Sequence, residues 1–405
     1  MKDLLDRFNP WWFGEVQFPG IAREGYLDEL MRYNGNKDII LISGLRRTGK
    51  TTLMKQMIYS LIDIGVKPEH ILFVSLDNIG LKDNTILDIE GEYRKSAGLD
   101  NDERLYLFLD EVHFQDRFEL QLKNLYDLGA SKVYASGSAN LDIFMRTPNL
   151  TGRHRIVEMR PLDFREYLLF KGNDHEGMSR EGLFDLAHEY ALTGGIPEYV
   201  LTGDINSLNT MIQSVLYRDV FVGSGLRDHE SLLNIFTMIV KNVSTPLSIR
   251  SISRVLNHSE ETIRKVLELL EEVNLIRKVE RYGNFKERKA NPPKYYLSDT
   301  GIFNVIVDKV NIGAVVENLA FLKLRSYGPI HYHRYSGKEI DFILKNSAFE
   351  VKYVVEPISD GSISILWKGK KRMITRSYEG NLGSIKAIPL ADLLLFSEKE
   401  DIGKL

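Results

Sequence analysis

The stretch Asp38-Ile39-Ile40-Leu41-Ile42-Ser43-Gly44-Leu45-Arg46-Arg47-Thr48-Gly49-Lys50-Thr51-Thr52 decides the fold. A short β-branched apolar run enters a turn with glycine at both ends, and a lysine and a hydroxyl follow at once. This is G-x-x-x-x-G-K-[ST], a phosphate-binding loop between a strand and a helix. Gly44 and Gly49 let backbone N–H groups turn inward with no Cβ in the way. A helix starting near Lys50 aims its free N–H groups and positive dipole end at an anion. Lys50 reaches for the β- and γ-phosphates, and the Thr51 hydroxyl is suited to Mg²⁺. The helix-compatible run Thr52-Leu53-Met54-Lys55-Gln56-Met57 follows, which argues against a chance match in some other turn. Gly44, Leu45, Arg46, Arg47, Thr48, Gly49, Lys50, Thr51 and Thr52 are thus the expected cradle of a nucleoside triphosphate, with ATP and Mg²⁺ as the expected cofactors.

The 405 residues are enough for two to four domains, and 43% hydrophobic with 27% charged residues is ordinary for a globular chain. A net charge of −3 predicts no partner, so any nucleic-acid surface must be a local patch. The absence of cysteine excludes disulfides, thiolate metal sites and cysteine nucleophiles, and suits a reducing cytoplasm. No apolar run is long enough to cross a bilayer, so no membrane partner is expected. Residues 1–7 carry acids and lack an apolar core, unlike a signal peptide.

Around the loop the chain alternates strand and helix signals, as a parallel α/β sheet does. Beyond the first strand, residues 71–77, 105–111, 132–138 and 155–159 read as strands buried on both faces. The aromatic cluster Asn9-Pro10-Trp11-Trp12-Phe13 reads as a packing anchor, and residues 21–26 as a segment that covers an adenine base. Asp110-Glu111 ends a strand two strands after the loop, at the edge where open α/β sheets bind ligands. Asp110 is suited to hold Mg²⁺ through its water shell, and Glu111 to orient or deprotonate the attacking water.

An intervening strand between the two motifs, and a glutamate after the aspartate, resemble the additional-strand, STAND-like division of P-loop ATPases, which includes the AAA-type enzymes. That resemblance implies five strands in the order 5-1-4-3-2, with the polar end of the fourth strand sensing the γ-phosphate. Ser136, Ser138 and Asn140 are the candidates, Ser136 or Ser138 foremost; the other reading is plain turn residues. In relatives a Gly-Arg at the position of Gly152-Arg153 is a γ-phosphate or inter-subunit arginine, so Arg153 is either that or an ordinary surface residue.

Asp163-Phe164-Arg165-Glu166 opens a helix as a capping box. A helix-rich stretch follows, with a turn at Thr193-Gly194-Gly195-Ile196-Pro197-Glu198. The phrases Arg160-Pro161-Leu162-Asp163-Phe164-Arg165-Glu166-Tyr167 and Gly194-Gly195-Ile196-Pro197-Glu198 resemble a family of archaeal and bacterial AAA-like ATPases. The family joins the ATPase to a helical lid, a winged helix and a restriction-endonuclease-like carboxyl-terminal domain. The expected division is an ATPase core at 1–165, a lid at 166–235, a winged helix-turn-helix at 236–300 and a PD-(D/E)xK nuclease-like domain at 301–405.

The residues downstream agree with that division. A helical run at 247–256, the polar turn Asn257-His258-Ser259, and a second helix at 260–272 make a helix-turn-helix. The apolar face of that second helix carries Ile263, Val266, Leu267 and Leu270. Arg277, Lys278, Arg281, Lys286, Arg288, Lys289 and Lys294 crowd the presumed wing, which suits phosphate contacts. The second helix is itself mostly acidic, and winged helices also serve as protein-contact modules, so DNA and a protein both stand as partners.

In the last domain, Asp341 on one strand and Glu350-Val351-Lys352 on the next give the Asp…Glu-x-Lys pattern that resembles the PD-(D/E)xK fold. Glu350 and Lys352 share a face, and Asp341 joins them only across a hairpin loop with an even residue count. A two-residue loop at Asn346-Ser347 is expected, which sets Asp341 opposite Lys352. Glu317 resembles the extra helix-borne acid of that fold. Glu317, Asp341 and Glu350 with Lys352 are then the expected metal and nuclease residues. His331 and His333 are the weaker ligand candidates. The functional expectation is an Mg²⁺-dependent ATPase acting on or near DNA, able to oligomerise; the alternative is an ATP-gated switch that binds a protein partner and cleaves nothing.

Overall fold

The protein is described by a computed structural model at residues 1–14, 17–137, 150–173, 176–356 and 367–397. It divides into two compact units, Met1–Arg160 and Pro161–Leu405. The break falls just before the expected end of the core at residue 165. The lid, helix-turn-helix and carboxyl-terminal stretches expected as three modules form one unit.

In the first unit β1 (Ile39–Ser43), β2 (Ile71–Ser75), β3 (Leu105–Asp110), β4 (Ser131–Gly137) and β5 (His154–Glu158) form one sheet. All neighbours are parallel. Their order, β2-β3-β4-β1-β5, is the expected 5-1-4-3-2 read from the other edge. The strands read as continuous apolar runs because both faces are covered. Leu41, Leu107 and Val133 belong to one apolar cluster, and Ile40, Ile42, Phe108 and Tyr134 to the other. β2 is an edge strand, and the amino-terminal segment closes that edge. The buried Asn9 amide donates to Phe73 O at 3.0 Å and accepts from Phe73 N at 2.7 Å, while the Trp12 indole donates to Ile71 O at 2.9 Å. The aromatic cluster is therefore an anchor.

In the second unit the Asp163/Glu166 capping box is present, with Glu166 N donating to Asp163 Oδ1 at 2.9 Å and Asp163 N to Glu166 Oε2 at 3.0 Å. The helix Arg180–Thr193 is fastened to the carboxyl-terminal region. Arg180 lies 3.0 Å from both Glu379 and Asp392, and the His188 ring nitrogen is 2.9 Å from the Tyr353 hydroxyl. The Gly194-Gly195 turn is a seat for a buried carboxylate. Asp299 accepts from Gly195 N at 2.7 Å and Gly301 N at 2.8 Å. A Cβ on Gly194 would lie 2.1 Å from Asp299 Oδ1, so no larger residue fits.

The helices Ile249–Leu256 and Glu260–Glu272 meet at Asn257, whose φ of 54° makes the turn. An antiparallel ribbon follows, β6 (Ile276–Val279) with β7 (Lys294–Leu297), and the short helix Phe285–Ala290 lies between the two strands in sequence. The remaining sheet has six strands in the order β12-β13-β11-β10-β9-β8. They are β8 (His331–Tyr335), β9 (Lys338–Leu344), β10 (Ser347–Val351), β11 (Lys370–Thr375), β12 (Gly380–Leu382) and β13 (Ile385–Pro389). The helix Ile312–Leu324, which carries Glu317, packs with them.

Candidate functional site

Because β4 inserts between β1 and β3, the carboxyl ends of three neighbouring strands present the loop, Asp110 and Ser136 side by side. The loop is pressed against β5, since Met159 N donates to Ser43 O at 2.7 Å. A Cβ on Gly44 would lie 2.0 Å from Met159 O, which explains the first glycine by close approach. Arg47 and Gly49 take positive φ, 61° and 96°, and the helix Lys50–Asp63 starts at once. Buried Lys50 donates through Nζ to the carbonyls of Gly44 at 3.0 Å and Leu45 at 3.1 Å, so its ammonium lies folded over the loop.

Three hydroxyl and carboxylate groups join the loop to β3 and β4. The Thr51 hydroxyl donates to Asp110 Oδ2 at 2.6 Å, and the Ser136 hydroxyl donates to Asp110 Oδ1. Ser136 Oγ also accepts from Glu111 N at 3.0 Å. Burial holds the Asp110 carboxyl above its usual range, against the pull of the Ser136 and Thr51 hydrogen bonds. Glu111 sits at a positive φ of 54°, and its Oε2 lies 3.2 Å from His113 Nδ1. A hydroxyl beside a carboxylate is a hard-oxygen pair that fits Mg²⁺ shared with phosphates. Ser138 and Asn140 lie outside the described residues.

The segment expected over the base contributes a residue that the sequence reading missed. Arg23, 4% exposed, donates to Thr48 O in the loop at 3.2 Å and to Arg160 O at 2.9 Å, with its guanidinium 4.6 Å from the Tyr26 ring centroid. Only the position of Arg23 just ahead of the loop could have hinted at this.

Arg153 lies away from the loop. It precedes β5, whose first residue His154 pairs with Ile39 at the start of β1, whereas the loop leaves β1 beyond Ser43, paired with Glu158. Arg153 therefore stands at the opposite end of the sheet, about 13 Å of strand away. Its side chain lies 3.6 Å from Asp127 and 5.7 Å from the Tyr126 ring centroid. It does not reach its own chain's loop.

In the second unit the structure brings Glu317, Asp341, Glu350 and Lys352 together, with changes. The hairpin loop is Lys345-Asn346, not Asn346-Ser347, because Leu344 pairs with Ser347 and Phe342 with Phe349. That register puts Asp341 level with Glu350 rather than Lys352; the slip is an even number of residues, so the shared face survives. Val351 N donates to Asp341 Oδ2 at 2.8 Å, and Lys352 Nζ lies 3.1 Å from Glu350 Oε1. Burial, then Glu317, pushes the Asp341 carboxyl up to about 7. The group at the centre is Lys294, expected as a basic wing residue. Its Nζ lies 2.7 Å from Glu339 Oε1, 3.2 Å from Glu317 Oε1 and 3.9 Å from Asp341 Oδ1, and Tyr296 Oη donates to Glu317 Oε1 at 2.7 Å. Among the described residues no group of three or more His, Asp and Glu side chains is placed to hold a metal ion. The set as it stands suits an ammonium and does not fit the divalent metal that the resemblance implied. His331 and His333 instead flank the Tyr282 ring, each at 6.2 Å between centroids.

Comparison with known proteins agrees with the first unit. A family described as an AAA domain matches residues 36–168, and one described as a domain of unknown function, DUF8612, matches residues 184–311. An "Uncharacterized protein" of Haemophilus influenzae is 26% identical over 400 residues, covering 93% of this chain and 98% of its own length. The "Uncharacterized protein MJ1637" of Methanocaldococcus jannaschii is 27% identical over 364 residues, 80% of this chain and 76% of that one. Among solved structures, AMPPCP-bound DnaA from Aquifex aeolicus is 14% identical, over 64% of this chain and 93% of its own, at a TM-score of 0.34. The Thermotoga maritima RuvB branch-migration motor is 17% identical, over 64% and 90%, at 0.32. No helix among the described residues is long and apolar enough to cross a membrane. By its loop and its strand order the unit Met1–Arg160 carries a P-loop NTPase fold, and residues 36–168 within and just beyond it are similar to the AAA domain family.

Proposed function

We propose that this chain binds and hydrolyses ATP, and that the nucleotide state governs what its carboxyl-terminal unit binds. The observation that carries the reading is the junction of Thr51, Asp110, Ser136 and Glu111 at the ends of neighbouring strands, beside the loop. The loop amides and Lys50 would cradle the β- and γ-phosphates. Thr51 and Asp110 would hold Mg²⁺, which when bound neutralises phosphate charge. Glu111 would orient the attacking water and accept its proton, with His113 and the Ser136 clamp fixing where its carboxylate lies. Arg153 would serve a nucleotide only across to a neighbouring copy, which makes an oligomer part of the reading. The test is ATP turnover and ATP uptake of the parent, Lys50→Ala and Glu111→Gln. Lys50→Ala is expected to lose uptake, and Glu111→Gln to keep uptake while losing turnover by about 10²-fold or more. Uptake unaffected by Lys50→Ala overturns the reading.

DNA is the partner we favour for the helix-turn-helix and ribbon, which we read as a winged helix. Support comes from the basic run between β6 and β7 with Phe285, 69% exposed, set among Lys286, Arg288 and Lys289. Glu280 offsets part of that charge, lying 3.4 Å from Lys278 and 3.8 Å from Lys289. Turnover stimulated by DNA, with affinity falling steeply in salt, supports the reading. Stimulation by no nucleic acid sinks it in favour of a protein partner. Lys294 within the carboxylates favours the second reading, a switch with no nuclease activity; plasmid cleavage with Mg²⁺ or Mn²⁺ that is lost in Asp341→Ala would reverse that preference.

A further inference from the structure

We propose that the Lys294 ammonium is the resident cation of the pocket lined by Glu317, Glu339 and Asp341, and that this pocket takes no divalent metal in the folded chain. The inference concerns the second unit alone and stands or falls apart from the ATP reading.

The Lys294 side chain is 0% exposed, and three carboxylates lie around it, Glu339 and Asp341 from β9 and Glu317 from the helix Ile312–Leu324. An ammonium so buried persists only where opposite charges and hydrogen-bond acceptors surround it. Glu339 and Glu317 supply close acceptors at 2.7 and 3.2 Å, Asp341 lies at 3.9 Å, and the Tyr332 ring face lies 5.6 Å away. The second lysine, Lys352, makes its close ion pair with Glu350 at 3.1 Å. A divalent ion of the hard class needs several oxygens at about 2.0–2.6 Å, and the ammonium fills the volume such an ion would take.

Backbone connections fix the lysine in place. Lys294 pairs with Val279 across the ribbon, and the prolines just before it are tied on both sides. Tyr332 Oη donates to Pro292 O at 2.6 Å, and Leu247 N donates to Pro293 O at 2.9 Å. The cation therefore pins the helix-turn-helix ribbon to the six-stranded sheet through the acids of a nuclease-like pocket. What would be a metal site becomes a fastening within the unit.

Mn²⁺ alone is the probe, with bound ion counted by electron paramagnetic resonance on the nucleotide-free full chain. Wild type and Asp341→Asn are expected to take up Mn²⁺ equally, any shared uptake belonging to the first unit. Lys294→Gln is expected to gain Mn²⁺ uptake that Lys294→Gln/Asp341→Asn loses again. Its melting temperature is expected to lie below wild type and to rise with Mn²⁺, while that of wild type does not rise through Asp341. Mn²⁺ uptake by wild type that Asp341→Asn abolishes overturns the proposal, as does a folded Lys294→Gln that gains none. Should Lys294→Gln fail to fold, the wild-type and Asp341→Asn pair decides alone, with Glu339→Gln as its second control.

Discussion

The Thr51 hydroxyl donates to Oδ2 of Asp110 at 2.6 Å, tying the loop's terminal threonine to the end of β3. Ser136 binds the other carboxylate oxygen and also accepts from Glu111 N, so one serine positions both acids of the site. Ser136→Ala would leave Asp110 short of a partner and Glu111 N without its acceptor. An unsatisfied buried group costs about 1–3 kcal/mol. The expected outcome is a lower melting temperature and ATP turnover reduced at least tenfold, with ATP uptake changed far less. Turnover equal to wild type in a steady-state assay would remove Ser136 from the site.

Arg23 makes a second prediction, because its guanidinium holds the Thr48 carbonyl from behind the loop. Arg23→Ala strips a buried carbonyl of its donor and deletes the packing on Tyr26. We expect ATP affinity to fall several-fold and stability by about 2–4 kcal/mol. Arg23→Lys should recover little, since an ammonium cannot reproduce a planar fork that reaches two carbonyls. Titration calorimetry with both variants checks this, and full recovery by lysine would contradict it.

The residues legible in the sequence were those whose role is local. Gly44, Gly49, Lys50 and Thr51 announce themselves by spacing, and Asp110 by ending an apolar run, because loop and strand-end chemistry needs neighbours in sequence. Arg23 and Lys294 were not legible in this way. Each draws its role from a tertiary partner, Thr48 for one and Glu317 with Glu339 for the other, and each looks like an ordinary basic residue in the chain. The hairpin shows a middle case. Side-chain parity followed from the alternation of β9 and β10, but the loop is Lys345-Asn346, with Lys345 at a φ of 52° where asparagine or glycine is commoner. For Arg153 the sequence left several readings open; a parallel sheet separates the two ends of every strand, and a position just ahead of β5 belongs to the end remote from the chain's own loop.

That separation yields a third prediction. Arg153→Ala should leave ATP affinity of the dilute chain unchanged, because the side chain is engaged with Asp127 and Tyr126. If copies assemble so that Arg153 serves a neighbour, its loss lowers turnover only at concentrations where assembly occurs. Adding a Glu111→Gln chain, which supplies an intact Arg153, should then restore part of the activity. Titration calorimetry together with turnover as a function of protein concentration checks both halves. A large loss of affinity in the dilute chain would place the arginine in its own nucleotide site.

A fourth prediction rests on Glu271, in the helix Glu260–Glu272. Burial pushes its carboxyl from 4.5 up to about 7, with Lys278 and Arg277 pulling it down and Glu268 and Glu280 adding to the rise. The folded chain thus holds this proton more tightly than the unfolded chain does. Stability from this group is gained as pH falls from about 7 toward 4.5, and the charged form is a cost above 7. Replacing it with a neutral isostere removes that cost. Glu271→Gln should exceed wild type by about 1–2 kcal/mol at pH 8, less than the full shift because the residue keeps some solvent contact. The advantage should shrink to well under half at pH 5. Asp299 and Asp341, raised to about 6 and about 7, also titrate in this window, but they are common to both proteins and cancel in the difference. Urea midpoints at the two pH values test it, and an advantage of equal size at both would mean that the charge on Glu271 is not what the substitution relieves.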